Sequence, residues 1–370
     1  MTIDGTRSQA AAATAEPPVR VAGGAVAAAV GAPAGELLRA EDLSVSFHTR
    51  RGVVRAVDGV TFSVSAGRTL GIVGESGSGK TVLSRAALGL LPPAANVRLG
   101  GRVSFGGVDL NSLGRSELRR LRGQRVGLVS QNPMVALNPV VRIGRQITEG
   151  LRRNLGFGTA EARARALDLL DQVGIPDARQ RMTEYPHQLS GGLRQRVAIA
   201  IAISCEPELL VADEPTTALD VTVQAQILAL LQSLQRDRNM AMIFISHDLA
   251  VVAGLADEIA VMYAGRIVEQ APALDLFASP RMPYTAALLA ATPRIGDARA
   301  RLSSIEGRPP DMVEPPPGCR FHPRCTLASE RCRSVAPALE LGGPGHSYAC
   351  WHPLEPAPAD LGGKEETDGR

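Results

Sequence analysis

Apolar and polar positions alternate with a two-residue period in LLRAEDLSVSF (37–47) and again in VDGVTFSV (57–64). The turn-forming HTRRG lies between them, which predicts two strands joined by a turn. RTLGIVG (68–74) is an apolar run ending in a glycine-rich turn, the pattern of a strand buried on both faces. LRGQRVGLVSQ (121–131) reads as a further strand, whereas the apolar positions of AEARARALDLLDQVG (160–174) recur at helical spacing. Beyond it, LSGGLRQRVAIAIAISC (189–205) predicts a helix, PELLVADEP (207–215) a strand, VQAQILALLQSLQRD (223–237) a helix and MAMIFISH (240–247) a strand. Strand and helix thus alternate around a helical block inserted near the middle, an α/β arrangement. From about Ser279 the texture turns to Pro, Arg and Cys, which predicts a smaller second region over 279–355 and a flexible tail over 356–370.

The 370 residues suffice for one large domain or two ordinary ones, and 45% hydrophobic with 21% charged residues is a globular balance. A net charge of +3, spread along the chain, argues against nucleic acid as a direct partner. The basic residues are almost all arginine; Lys80 and Lys364 are the two lysines. No apolar run reaches the length that crosses a bilayer: the best candidate, residues 21–35, is interrupted by four glycines and a proline. Residues 1–35 read as a disordered Ala/Gly/Pro extension rather than a signal peptide. MTIDGTRSQ lacks a basic cluster, and Glu16, Pro17, Pro18 and Arg20 break any apolar core, so a cytoplasmic protein is expected.

The buried-strand pattern runs straight into GESGSGKT, that is Gly74, Glu75, Ser76, Gly77, Ser78, Gly79, Lys80 and Thr81, and VLSRAALGLL after it can form a helix. This is the spacing of a phosphate loop. Backbone N–H groups and the helix N-terminus cradle phosphate oxygens, Lys80 reaches the β- and γ-phosphates, and Thr81 helps to hold Mg²⁺. LLVADE (209–214) supplies a second strand ending in two carboxylates. Beside a phosphate loop, Asp213 is expected to hold Mg²⁺ through water and Glu214 to polarise the attacking water.

Between these motifs stands LSGGL (189–193). With GESGSGKT, Gln131, LLVADE, the following ALD (218–220) and His247, it makes the chain resemble the nucleotide-binding subunit of an ATP-binding cassette (ABC) transporter, over about residues 37–275. The resemblance implies a P-loop NTPase cassette over 36–278: a RecA-like core, an antiparallel β subdomain and an inserted α-helical subdomain. It also implies two such domains closing head to tail, so that Ser190, Gly191 and Gly192 act on the partner's nucleotide at a helix N-terminus. Gln131 would then sense Mg²⁺ and the attacking water beside the groove for the membrane subunit. Asp220 would link the two sites, His247 would contact the γ-phosphate, and Phe47 would stack on adenine. Leu193 stands where Gln is usual in that family; the signature Ser and glycines are intact.

RRGVVRAVDGVTFSV, YPHQLSGGLRQR, PTTALDVTVQAQIL, SPRMPYTAALLAATPR and GCRFHPRC narrow the resemblance to the ATPase subunits of bacterial dipeptide and oligopeptide importers, a branch that includes nickel importers. It implies a peripheral motor on the cytoplasmic face of the membrane, with two transmembrane permease subunits, a second ATPase subunit, related or identical, and an extracytoplasmic substrate-binding protein. A soluble ATPase of the same domain family acting on ribosomes or DNA is the alternative; such proteins usually carry two cassettes, and this chain has one phosphate loop and one signature. Cys319, Cys325, Cys332 and Cys350 follow at C-x₅-C-x₆-C-x₁₇-C. A cytoplasmic setting argues against disulfides, and four thiolates suit either Zn²⁺ or an iron–sulfur cluster. The absence of tight C-x₂₋₄-C pairs, and the importer branch, favour a [4Fe–4S] cluster, with zinc and free thiols left open. Cys205 is expected as a core residue of the signature helix.

Overall fold

The computed structural model describes residues 35–91, 96–217, 219–291 and 305–355. Most of the extension expected at the N-terminus, the tail expected over 356–370, and Ala218 of the ALD motif lie outside the described residues.

β1 (Glu36–Thr49) and β2 (Gly52–Ser65) turn about Arg50 and Arg51 and pair antiparallel from Glu36↔Ser65 to Thr49↔Gly52. β4 (Val97–Phe105) pairs antiparallel with the other edge of β1, and the short β5 (Val108–Asp109) completes a four-stranded sheet ordered β2-β1-β4-β5.

A larger sheet of eight strands runs β11-β12-β10-β9-β3-β8-β7-β6. Its parallel centre consists of β6 (Val126–Val129), β7 (Leu209–Asp213), β8 (Ala241–Ser246), β3 (Thr69–Val73) and β9 (Glu258–Tyr263). Every residue of β3, β7 and β8 is buried, which is why these strands read as unbroken apolar runs. Alternate side chains serve two cores. Leu209 and Val211 join Leu70, Ile72, Ile243 and Ile245 under the antiparallel sheet; Leu210 and Ala212 join Met242, Phe244 and the helical block on the opposite face. That block is formed by helices Ile143–Leu155, Thr159–Gln172 and Ala178–Arg181.

The sheet continues past the compositional boundary near Ser279. β10 (Arg266–Pro272) pairs antiparallel with β9 and also with β12 (His346–Tyr348), which in turn carries β11 (Glu340–Gly343). A buried carboxylate makes this seam. Glu269 on β10 is 0% exposed and accepts from Arg281 N, Met282 N and His346 Nε2 at 2.6, 3.0 and 2.7 Å, so every charge it buries has a donor.

Two expectations need correcting. The strand expected over 121–131 is β6 alone: its first five residues finish the helix Arg115–Arg125, whose arginine-rich repeat leaves no buried face of its own and was masked by the apolar VGLV that follows. Cys205 does not lie on the signature helix, which ends at Ile203; it is half-buried just beyond, with its Sγ 3.7 Å from Asn154 Nδ2.

Candidate active site

All five parallel strands deliver their carboxyl ends to one edge of the sheet, where ligand sites form in such folds. β3 ends at Val73, and the phosphate loop follows in a backbone path that side chains would obstruct. Gly74 has φ +152°, and a Cβ there would stand 2.1 Å from Met262 O; at Gly79, φ is +103° and a Cβ would meet Ala56 O at 2.2 Å. The loop is closed by Ser78 N donating to Glu75 O at 3.2 Å and anchored by Gly265 N donating to Ser78 O at 2.8 Å. Ser76 and Gly77 are exposed on the loop, and helix Lys80–Ala87 begins immediately after Gly79.

Lys80 folds back along the loop, its Nζ donating to Gly74 O at 2.7 Å and Glu75 O at 3.0 Å. Burial pushes the Lys80 ammonium below its ordinary range, opposed by Glu214, Asp213 and Glu75. Buried Ser78 Oγ has no hydrogen-bond partner among the described residues. A buried cation, an orphaned hydroxyl and the N–H groups opening a helix all call for anionic oxygens, so these residues fit a nucleotide's phosphates.

β7 brings the acidic pair to the same place. Thr81 Oγ1 donates to Asp213 Oδ1 at 2.9 Å, and burial raises the Asp213 carboxyl above its usual range against that hydrogen bond. The hydroxyl and carboxylate face each other as Mg²⁺ ligands would; Mg²⁺ keeps most of its waters and needs few protein donors. Glu214 sits in left-handed backbone at φ 47°, which turns its carboxylate out of the strand. Three groups converge on its Oε2: Gln131 Nε2 at 2.9 Å, Thr217 Oγ1 at 3.0 Å and His247 Nδ1 at 3.5 Å. Gln131 follows β6 and His247 follows β8, the two strands that flank β7, so three neighbouring strands assemble what the sequence separates by more than a hundred residues.

The signature residues open a helix of their own. Ser190 caps helix Gly191–Ile203, its Oγ accepting from Leu193 N at 3.3 Å, and both Ser190 and Gly191 are exposed. Gly192 is tied to packing: a Cβ there would stand 2.8 Å from Val223 Cγ1 on the next helix. Asp220 caps that helix, Val221–Asp237, by accepting from Val223 N. Phe47 is half-buried on β1 against the apolar core beneath the antiparallel sheet.

Thr217 was missed in the sequence; its signal was the PTTALD stretch, which drew attention only to Asp220. Tyr284 and Arg324 were missed as well. Glu75 N donates to Tyr284 Oη at 3.0 Å, and Arg324 forms an ion pair with the Glu75 carboxylate.

Cys319, Cys325, Cys332 and Cys350 come together in the C-terminal region as free thiols, each within electrostatic reach of others, with Cys319 N donating to Cys332 O. Burial pushes Cys319 and Cys325 up and Cys350 to about 11. The expected ligand set is not formed: among the described residues no group of three or more His, Cys, Asp or Glu is placed to hold a metal ion.

A cassette of parallel strands with a phosphate loop, a Thr–Asp pair and a glutamate met by Gln and His defines an ABC-type ATPase. The family model for ABC transporters matches residues 57–217, and that for the oligopeptide/dipeptide transporter C-terminal region matches 268–332. The chain is 49% identical over 323 residues to the oligopeptide transport ATP-binding protein OppD of Salmonella typhimurium, covering 87% of this chain and 96% of that one. It is 48% identical over 321 residues to the dipeptide transport ATP-binding protein DppD of Escherichia coli, covering 87% and 98%. Among solved structures it resembles the dimeric ABC transporter cassette MJ0796, with TM-score 0.58 and 26% identity over 64% of this chain and 99% of that one. CbiO1 of Clostridium perfringens gives TM-score 0.56 and 28% identity over 66% and 91%. The chain belongs to the family of ATP-binding subunits of ABC transporters of the oligopeptide/dipeptide type, and it is an ATPase. No helix among the described residues is long and apolar enough to cross a membrane.

Proposed function

We propose that the chain is the ATP-hydrolysing motor of an importer of dipeptides or oligopeptides. It works at the cytoplasmic face of the membrane with two permease subunits, a second ATPase subunit and an extracytoplasmic binding protein. One observation carries the substrate class: the C-terminal region shared with oligopeptide/dipeptide transporters matches here, and two of its residues, Tyr284 and Arg324, reach the phosphate loop. In this reading the loop residues 74–81 bind the ATP phosphates, and Thr81, Asp213 and Gln131 attend Mg²⁺, which screens the phosphate charge when bound. Glu214, oriented by Gln131, Thr217 and His247, accepts a proton from the attacking water. Phe47 stacks on adenine, while Ser190, Gly191 and Gly192 close on the partner's nucleotide and Asp220 connects the two sites.

The four tail cysteines are not placed as a ligand set in this structure, so the [4Fe–4S] cluster, with Zn²⁺ as the competing occupant, stays in the proposal only as a group around which they would have to close. Four unpaired thiols gathered in one half-buried region are the donor chemistry either would take. About four irons and four labile sulfides per chain after anaerobic purification would support the cluster. Zinc without iron, or no metal, would overturn it.

The substrate reading is tested in liposomes holding the whole transporter. Labelled di- and oligopeptides should be taken up with ATP, and their binding-protein complexes should stimulate hydrolysis. Stimulation by nickel and not by any peptide would overturn the peptide assignment while leaving the ATPase intact.

A further inference from the structure

The stretch GCRFHPRC (318–325) grips the nucleotide-binding core at three points. Arg320 donates to Asp58 on β2 and to the carbonyl of Ala264. The Phe321 ring packs against Tyr263 and Tyr284, each with centroids 5.3 Å away. Arg324 reaches furthest: Nη1 and Nη2 donate to the two carboxylate oxygens of Glu75 at 2.6 and 2.9 Å, a two-pronged match that fixes direction as well as distance.

Neither partner is a loose surface group. The Arg324 side chain is 4% exposed, and its Nε and Nη2 also donate to the carbonyls of Glu306 and Ile305 at 2.9 and 3.2 Å. The pairing with Glu75 raises the guanidinium's already high pKa, so its charge is permanent. Glu75 is the second residue of the phosphate loop, and it is held at three places. Its N–H donates to Tyr284, its carbonyl accepts from Lys80, and its carboxylate is taken by Arg324. Two of the three holds come from the C-terminal region.

We infer that Arg324 is a positioning residue for ATP. A carboxylate on the phosphate loop repels the triphosphate it must admit; Arg324 cancels that charge and holds the side chain by both of its oxygens. With Tyr284 it fixes the peptide that carries Glu75, so the loop's amides and Lys80 are arranged before the nucleotide arrives. Preorganisation of this kind acts on nucleotide affinity, because the hydrolytic carboxylate, Glu214, is held by other residues. The inference rests on loop 74–81 as the ATP site.

The test is steady-state hydrolysis by the assembled transporter, with melting temperature recorded alongside. Arg324→Ala should raise KM for ATP about tenfold and change kcat less than about threefold. Adding Glu75→Gln to it should bring KM back to within about threefold of the parent, since the uncancelled charge is gone. Arg324→Lys, which keeps the charge and loses the fork, should fall between; if Arg324→Ala does not fold, this variant decides, and a parental KM in it overturns the inference. An unchanged KM in Arg324→Ala, a fall in kcat at constant KM, or no rescue by Glu75→Gln would each overturn it. Lys80→Ala separates the two failures. If it still binds ATP normally, the loop assignment is wrong and the inference falls with it; if it loses ATP while Arg324→Ala does not, the inference alone fails.

Discussion

The phosphate-loop edge of the cassette and the cysteine-bearing region are held in place in opposite ways. Behind the phosphate loop stand three strands buried along their whole length, β3, β7 and β8, so the loop, Asp213 and His247 start from a frame that packing alone makes rigid. Over residues 305–355 the buried apolar side chains are Phe321, Cys332 and Ala349, among short strands and single turns. That is too little apolar surface to support a fold of its own. Its order is borrowed: from Glu269, which binds His346; from Asp58, which binds Arg320; and from Glu75, which binds Arg324. A region that borrows its order from the active-site loop necessarily gives some back, and this is the physical ground for expecting the two ends of the chain to communicate.

Glu214→Gln strikes the frame side of this contrast at its most sensitive atom and should lower kcat by about 10²–10⁴ while ATP binding persists. It keeps the side chain's shape and removes the charge that Gln131, Thr217 and His247 surround. Hydrolysis at the parental rate, with the second ATPase subunit inactivated separately, would exclude Glu214 as the base. Next in size, Phe321→Ala should cost about 3–5 kcal/mol of docking between the two regions. Hydrogen exchange should then quicken across 318–335 while β7 and β8 stay protected; loss of protection in both would mean that the regions form one cooperative unit.

Ser190→Arg probes the exposed signature, whose serine accepts from Leu193 N and Arg194 N of its own helix. In a complex where this subunit alone is altered, hydrolysis at the partner's phosphate loop should fall about tenfold and more than at this chain's own. Equal occupancy and turnover at the two sites would count against head-to-tail closure. The smallest expected effect belongs to Cys325→Ser: iron should be lost, yet KM for ATP should move by less than about threefold, because Arg324 and not the thiol touches the loop. A KM shift as large as that of Arg324→Ala would show that the thiols themselves set the loop.

GESGSGKT and LLVADE are local: each motif lies on a strand end and the turn after it, where sequence spacing and spatial spacing nearly coincide, so the placement of the loop and of the Asp213–Glu214 pair at the ends of β3 and β7 was legible in the sequence. The buried strands β3, β7 and β8 were equally plain, because burial on both faces writes itself as an unbroken apolar run, whereas β9 was not read. The helix Arg115–Arg125 was not legible, since it is amphipathic only weakly and buries no residue.

By itself, then, the sequence determined the strands β1, β2, β3, β7 and β8, the helices between them that carry a clear apolar face, and the motifs that mark the ATPase class, all of which depend on contacts within a few residues or on one face of one element. Only the tertiary structure decided that Gln131, Thr217 and His247 meet on one carboxylate oxygen, that β12 joins the central sheet, and that Arg324 takes Glu75 across a separation of 249 residues. An ion pair between chain positions so far apart leaves no periodicity in either stretch. Its partners are chosen by where the folded strands end, and that geometry exists only once the sheet has closed.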